Sequence, residues 1–184
     1  NMSFKQLRDK IGYVPQKASL LTGTIRENMR WRNEAADDSE IIEALKTAQA
    51  YDFIFEKDGL DTSVSQEGKN FSGGQRQRLT IARALVSDPE ILILDDSSSA
   101  LDLMTEARLR RALSKANPNM TQGIVSQRIS TIRDADLILV LDDGSAVGMG
   151  THKELLESCE IYREICATQI PEELVGTAAE RISK

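Results

Sequence analysis

The run from Asn70 to Asp102 dictates a helix followed almost at once by a buried strand. Ser72 suits an N-cap, because its hydroxyl accepts an amide proton that a first turn leaves unpaired. Gly73 and Gly74 lack a Cβ, so a phosphate or another chain can approach the backbone closely. Unpaired amides and the positive end of the helix dipole favour an anion at that point. Leu79, Ile81, Ala82, Leu85 and Val86 form the apolar face of a helix predicted to end near Asp88 and Pro89. Ile91 to Leu94 are then four consecutive apolar residues, the pattern of a parallel strand buried on both faces. Asp95 and Asp96 stand at the carboxyl end of that strand, where α/β sheets bind ligands.

Taken in this order, and followed by Ser99-Ala100-Leu101-Asp102, these segments resemble the ATP-binding cassette (ABC) ATPases. Asn70 to Arg78 is similar to the family's signature motif, Ile91 to Asp96 to its Walker B strand, and Ser99 to Asp102 to its D-loop. Tyr13-Val14-Pro15-Gln16 resembles the Q-loop of ABC exporters. The segment Gly23-Thr24-Ile25-Arg26-Glu27-Asn28 resembles the exporter region that receives the membrane domain's coupling helices. The resemblance implies ATP and Mg²⁺ as cofactors, with Asp95 and Gln16 toward the metal through water. Gln16, Ser72, Gly73, Gly74, Gln75, Ser99 and Asp102 are implied at the nucleotide. It also implies an α/β fold: a P-loop NTPase-like core with a mostly parallel sheet, plus an α-helical subdomain.

Three departures from the family pattern set the expected mechanism. The residue after the Walker B aspartate is Asp96 where the family has Glu, so the carboxylate reaches about 1.5 Å less far. After Val125-Ser126 the family has a switch His, and this chain has Gln127. An amide can hydrogen-bond a phosphate but cannot take up and return a proton at neutral pH. No Gly-x-x-x-x-Gly-Lys-Ser/Thr occurs, so the P-loop part of the core is missing from these residues. A smaller departure is Ser65-Gln66 where exporters carry Gly-Glu in the X-loop, with Glu67 one place later. His152 is expected at a helix start or on the surface rather than in the switch role.

An altered Walker B and switch beside an unaltered signature resembles one half of the heterodimeric bacterial exporters. In these, one composite site hydrolyses and the other is degenerate. The resemblance then implies a second ABC subunit, transmembrane domains of both subunits, and a place at the cytoplasmic face of the membrane. Two alternatives are a soluble ABC-type ATPase acting on ribosomes or DNA, and an inactive truncated remnant.

The expected layout is a partial nucleotide-binding domain over 1–169. Its helical subdomain covers about 22–88, its RecA-like core about 10–16 and 89–169, and a polar tail 170–184. Within it, a short helix is expected over Met2 to Lys10 and a strand over Ile11 to Val14. A helix over Asp37 to Ala50 is expected with Ser39 near its cap, and a charged helix over Leu103 to Ala116. The latter is expected to bury Met104, Leu109, Ala112 and Leu113. A second buried strand is expected at Gly123 to Ser126, a hairpin over Leu137 to Met149, and two helices from Thr151.

Charge bears on the partner. Lys plus Arg number 23 against 29 for Asp plus Glu, a net −6, which gives a nucleic-acid partner no electrostatic support. No apolar run approaches the ~20 residues that span a bilayer. Asn1 to Lys5 does not read as a signal peptide, and an opening Asn suggests a fragment. Cys159 and Cys166, two helical turns apart, would lie about 10 Å apart along an axis and so are expected as reduced thiols.

Overall fold

A computed structural model describes residues 2–170, which fall into two compact units, the first ending at Val125 and the second starting at Ser126. The tail expected after Pro171 lies outside the described residues.

The first unit opens with α1 (Phe4–Asp9) and β1 (Ile11–Val14), followed by β2 (Gly23–Thr24) and α2 (Ile25–Arg30). Asn28 is almost fully buried and staples the approach to α2. Its Oδ1 accepts from the Leu21 amide, and its Nδ2 donates to the carbonyls of Leu21 and Thr24. Helices α3 (Asp38–Thr47) and α4 (Tyr51–Phe55) come next, then β3 (Ser63–Val64), antiparallel to β2. The cap of α3 is Asp37, not Ser39. Asp37 accepts from the Glu40 amide while Glu40 accepts from the Asp37 amide, a reciprocal arrangement that Ser39 would have had to break. Ser39 instead donates its hydroxyl to Asp37.

Helix α5 (Gly73–Leu85), strand β4 (Ile91–Asp95), helix α6 (Leu103–Ala116) and strand β5 (Thr121–Val125) complete the unit. The three longer strands form a parallel sheet in the order β1-β4-β5. Helix α5 packs against β1 so closely that a Cβ on Gly12 would lie 3.0 Å from Pro89 Cγ and 3.2 Å from the Ala84 carbonyl. The core of this unit gathers Val14, Ile25, Met29, Ile41, Leu45, Leu79, Ile81 and Leu92, all fully buried.

Two burial expectations need correction. Strand β4 is buried on one face through Leu92 and Leu94, whereas Ile91 and Ile93 on the other are half-buried. Strand β5 is not buried: among the described residues it lies at the edge of the sheet with one paired neighbour, and Val125 is 57% exposed. In α6, Leu109 and Leu113 are buried as expected and Ala112 half-buried, but Met104 is 65% exposed. Met104 sits in the first turn, and Glu106 takes the buried place there.

In the second unit, α7 (Ile129–Ile132) precedes a hairpin of β6 (Ile138–Asp142) and β7 (Ser145–Gly150), then α8 (His152–Ser158) and α9 (Glu160–Gln169). Its core joins Ile129, Ile138, Val140, Leu155, Tyr162 and Cys166. Both cysteines are buried reduced thiols. His152 opens α8, and its Nδ1 lies 2.8 Å from the Tyr162 hydroxyl.

Candidate functional site

Parallel pairing of β1 and β4 brings the two acids beside the turn after β1. Tyr13 is in register with Ile93 and Val14 with Leu94, so the chain leaving β1 passes the end of β4. The Tyr13 hydroxyl donates to Asp95 Oδ2 at 2.9 Å. That bond, with some desolvation and the nearby negative charge, raises the Tyr13 pKa above its ordinary value of 10.0. Gln16 Nε2 donates to Asp96 Oδ2 at 3.0 Å.

Asp96 sits where the strand ends and turns. Its amide still donates to the Val125 carbonyl at 2.9 Å, one step beyond the ladder, while its φ is +42°. Asp tolerates that left-handed region better than most side chains. The Asp96 carbonyl accepts from both the Ser99 hydroxyl (2.8 Å) and the Ser99 amide (3.3 Å). Asp102 caps α6 by accepting from the Thr105 amide at 2.9 Å. This hydrogen bonding to Thr105 lowers the Asp102 pKa. Ser99 and Asp102 thus shape the loop after β4.

The other candidate residues open α5. Ser72 Oγ accepts from the Gln75 amide at 3.2 Å, and Gln75 Oε1 accepts from the Ser72 amide at 2.9 Å, a closed capping box. Gln75 therefore serves the cap. Gly73 is exposed, and a Cβ there would meet nothing within 4 Å. Gly74 is different: a Cβ would lie 3.0 Å from the Ala100 carbonyl, so its missing side chain lets the loop after β4 press against α5. A cleft of about 500 Å³ runs between these segments, with Gln16, Gly73, Gln77 and Ala100 among its lining residues.

Gln16, Asp96 and Ser99 are therefore joined by hydrogen bonds around the end of β4, Asp95 beside them is held by Tyr13, and the start of α5 touches the same loop through Gly74. Gln127 belongs to the second unit, where its side chain is exposed and its carbonyl accepts from Gln169 Nε2 at 2.8 Å. Sequence reasoning missed Tyr13 and Gln77. The first sits two residues before the proline of the turn, and only the register shows that it reaches Asp95. Gln77 looks like an ordinary polar residue on a helix, yet it is 1% exposed.

Among the described residues no group of three or more His, Cys, Asp or Glu could hold a metal by itself. Asp95 with the side-chain oxygen of Gln16 is a hard-oxygen donor set that suits Mg²⁺. That ion usually keeps several waters and takes one or two carboxylates together with substrate phosphates.

A family model described as ABC transporter matches residues 1–99. The chain belongs to the ABC transporter family. The uncharacterized ABC transporter ATP-binding protein YfiB of Bacillus subtilis is 48% identical over 168 residues, covering 91% of this chain and 29% of YfiB. The putative export ATP-binding/permease protein RC1073 of Rickettsia conorii is 42% identical over 166 residues, covering 90% of this chain and 29% of that protein. In fold, the ABC chain is similar to a bacterial Atm1-family ABC exporter solved with ATP bound. The TM-score is 0.85 at 38% identity, over 89% of this chain and 29% of that one. The ABC chain thus spans 29% of the length of each of these relatives. No helix among its described residues is long and apolar enough to cross a membrane.

Proposed function

We propose that this chain is part of the ATP-binding domain of an ABC exporter and works in a pair of cassettes whose two ATP sites are unequal. Residues 22–88 serve as its helical subdomain; 10–16 and 89–169 belong to its RecA-like core. It acts at the cytoplasmic face of the membrane, coupled to its own and its partner's transmembrane domains. The exporter relatives support this over a soluble, ribosome- or DNA-associated ATPase.

The observation that carries the inequality is Asp96. It occupies the place where the family's water-polarising Glu belongs, it is one methylene shorter, and its Oδ2 is engaged by Gln16. When bound, Mg²⁺ neutralises charge on the phosphate oxygens. Asp95 and Gln16 are the residues that would hold it, through water. Asp96 accepts a proton from the attacking water less effectively, because misplacing a catalytic group by ~1 Å costs on the order of 10²-fold. Gln127 at the switch position cannot shuttle a proton, which costs about 10²–10⁴-fold more. Ser72, Gly73 and Gly74 are unaltered, and their exposed helix N-terminus closes over the partner's nucleotide.

The test is repair. Asp96→Glu with Gln127→His is made in the full-length pair, with the partner's catalytic Glu blocked and its signature motif intact. Turnover at this site should rise about tenfold or more, and the double change should exceed the sum of the single ones. No rise would falsify the claim that these two residues slow the site.

A further inference from the structure

Gln77 has a buried side chain with an attachment outside its own helix. It is 1% exposed, and its Nε2 donates to the Pro15 carbonyl at 3.3 Å. That carbonyl belongs to the peptide plane leading into Gln16. The plane is rigid and the proline ring fixes its own φ, so holding the oxygen limits where Gln16 can sit. Gln16 in turn donates to Asp96 Oδ2. On the other side, the Asp96 carbonyl is held by Ser99, and the next residue, Ala100, presses its carbonyl against Gly74. Gly74 lies three residues before Gln77 on α5. The contacts therefore close a ring from α5 through Ala100, Ser99, Asp96, Gln16 and Pro15 back to α5.

We propose that Gln77 is a positioning residue: it sets Gln16, and through it the Asp96 loop, from the helix that carries Ser72 and the two glycines. Movement of the α5 N-terminus then reaches Asp96 by two attachments at once, so the surface offered to a partner's nucleotide is linked mechanically to the chain's own acid pair. A purely structural role predicts something else. Removing the amide would leave the Pro15 carbonyl short of a partner and loosen residues 15–20, and any effect on residues 97–101 would pass through Gly74 and Ala100 and so be the same with and without Gln16.

The experiment uses the nucleotide-free full-length protein and amide hydrogen exchange. Gln77→Met keeps the length and removes the donor; Gln77→Glu keeps the shape and replaces the donor with an acceptor. Each should accelerate exchange over 97–101, where the Ser99 amide reports on the Asp96 carbonyl, by about fivefold or more. In a Gln16→Ala background neither should add more than about twofold, because the route is already cut. Unchanged exchange over 97–101 overturns the proposal, and so does an equal acceleration with and without Gln16. The proposal rests on the ABC reading only for its functional meaning. Absence of Mg-ATP turnover in the wild-type pair would defeat that reading and leave the exchange result standing.

Discussion

At the scale of single residues, Gly73 and Asp96 separate the two roles proposed for the molecule. A Cβ at Gly73 meets nothing within 4 Å and the position is exposed, so the fold has room for one. An acid there also faces the positive end of α5, which favours the helix. The same charge repels a phosphate brought to that N-terminus. Gly73→Asp should therefore leave the melting temperature unchanged or raised while removing most ATP turnover in the full-length pair. On the proposed unequal sites, Asp96→Asn should cost only a small fraction of that turnover, because the proposal makes its own site the slow one. Both are read in one ATPase assay with thermal unfolding beside it, and equal losses would contradict unequal sites. Gly74 lacks this freedom, because its Cβ would push directly on the Ala100 carbonyl.

At the scale of elements, helix starts do much of the positioning. Ser3, Thr24, Asp37, Ser72 and Thr151 each close a capping box, and Asp102 caps α6. The Asp102 carboxylate lies below its ordinary pKa of 3.8 because of its bonds to Thr105. Its folded pKa is depressed, so its contribution to stability is complete above the unfolded value and is lost as pH falls through the lower, folded one. Acid unfolding followed by circular dichroism should show that loss below pH 3.8. Asp102→Asn should reduce the slope in that window and leave the slope near neutrality as it was. The opposite slope, with stability rising as pH falls there, would contradict the assigned cap.

At the scale of the whole molecule, exposed apolar surface matters more than charge. On the hairpin, Leu139 pairs with Met149 across the strands, and they are 54% and 69% exposed; Leu141 is 64% exposed. The opposite face, with Ile138 and Val140, is buried in the core of the second unit. A row of this kind is an association site unless something covers it. The net charge of −6 opposes association but acts over the whole surface, not at this face. The 184-residue chain alone should self-associate at micromolar to millimolar concentration. Leu139→Lys with Met149→Lys should shift it toward monomer in light scattering without changing its circular dichroism. An unchanged scattering mass would place the association elsewhere.

Local pattern made much of this legible from the chain alone. Ile11–Val14, Ile91–Asp95 and Leu103–Ala116 lie where periodicity and turn residues put them, and Ser72 caps α5 as its hydroxyl suggests. These are short-range properties, determined by neighbours a few residues away. Tertiary structure alone decided the rest. That Tyr13 reaches Asp95, that Gln16 holds Asp96, and that Gly74 yields to Ala100 depend on contacts between residues 26 to 82 apart in sequence. The choice of Asp37 over Ser39 as a cap, and of Glu106 over Met104 as the buried residue, was decided by which competing contact the packed chain completes. Burial of strands also escaped the sequence: an apolar run states what a strand can bury, and only the neighbours present decide whether it is covered.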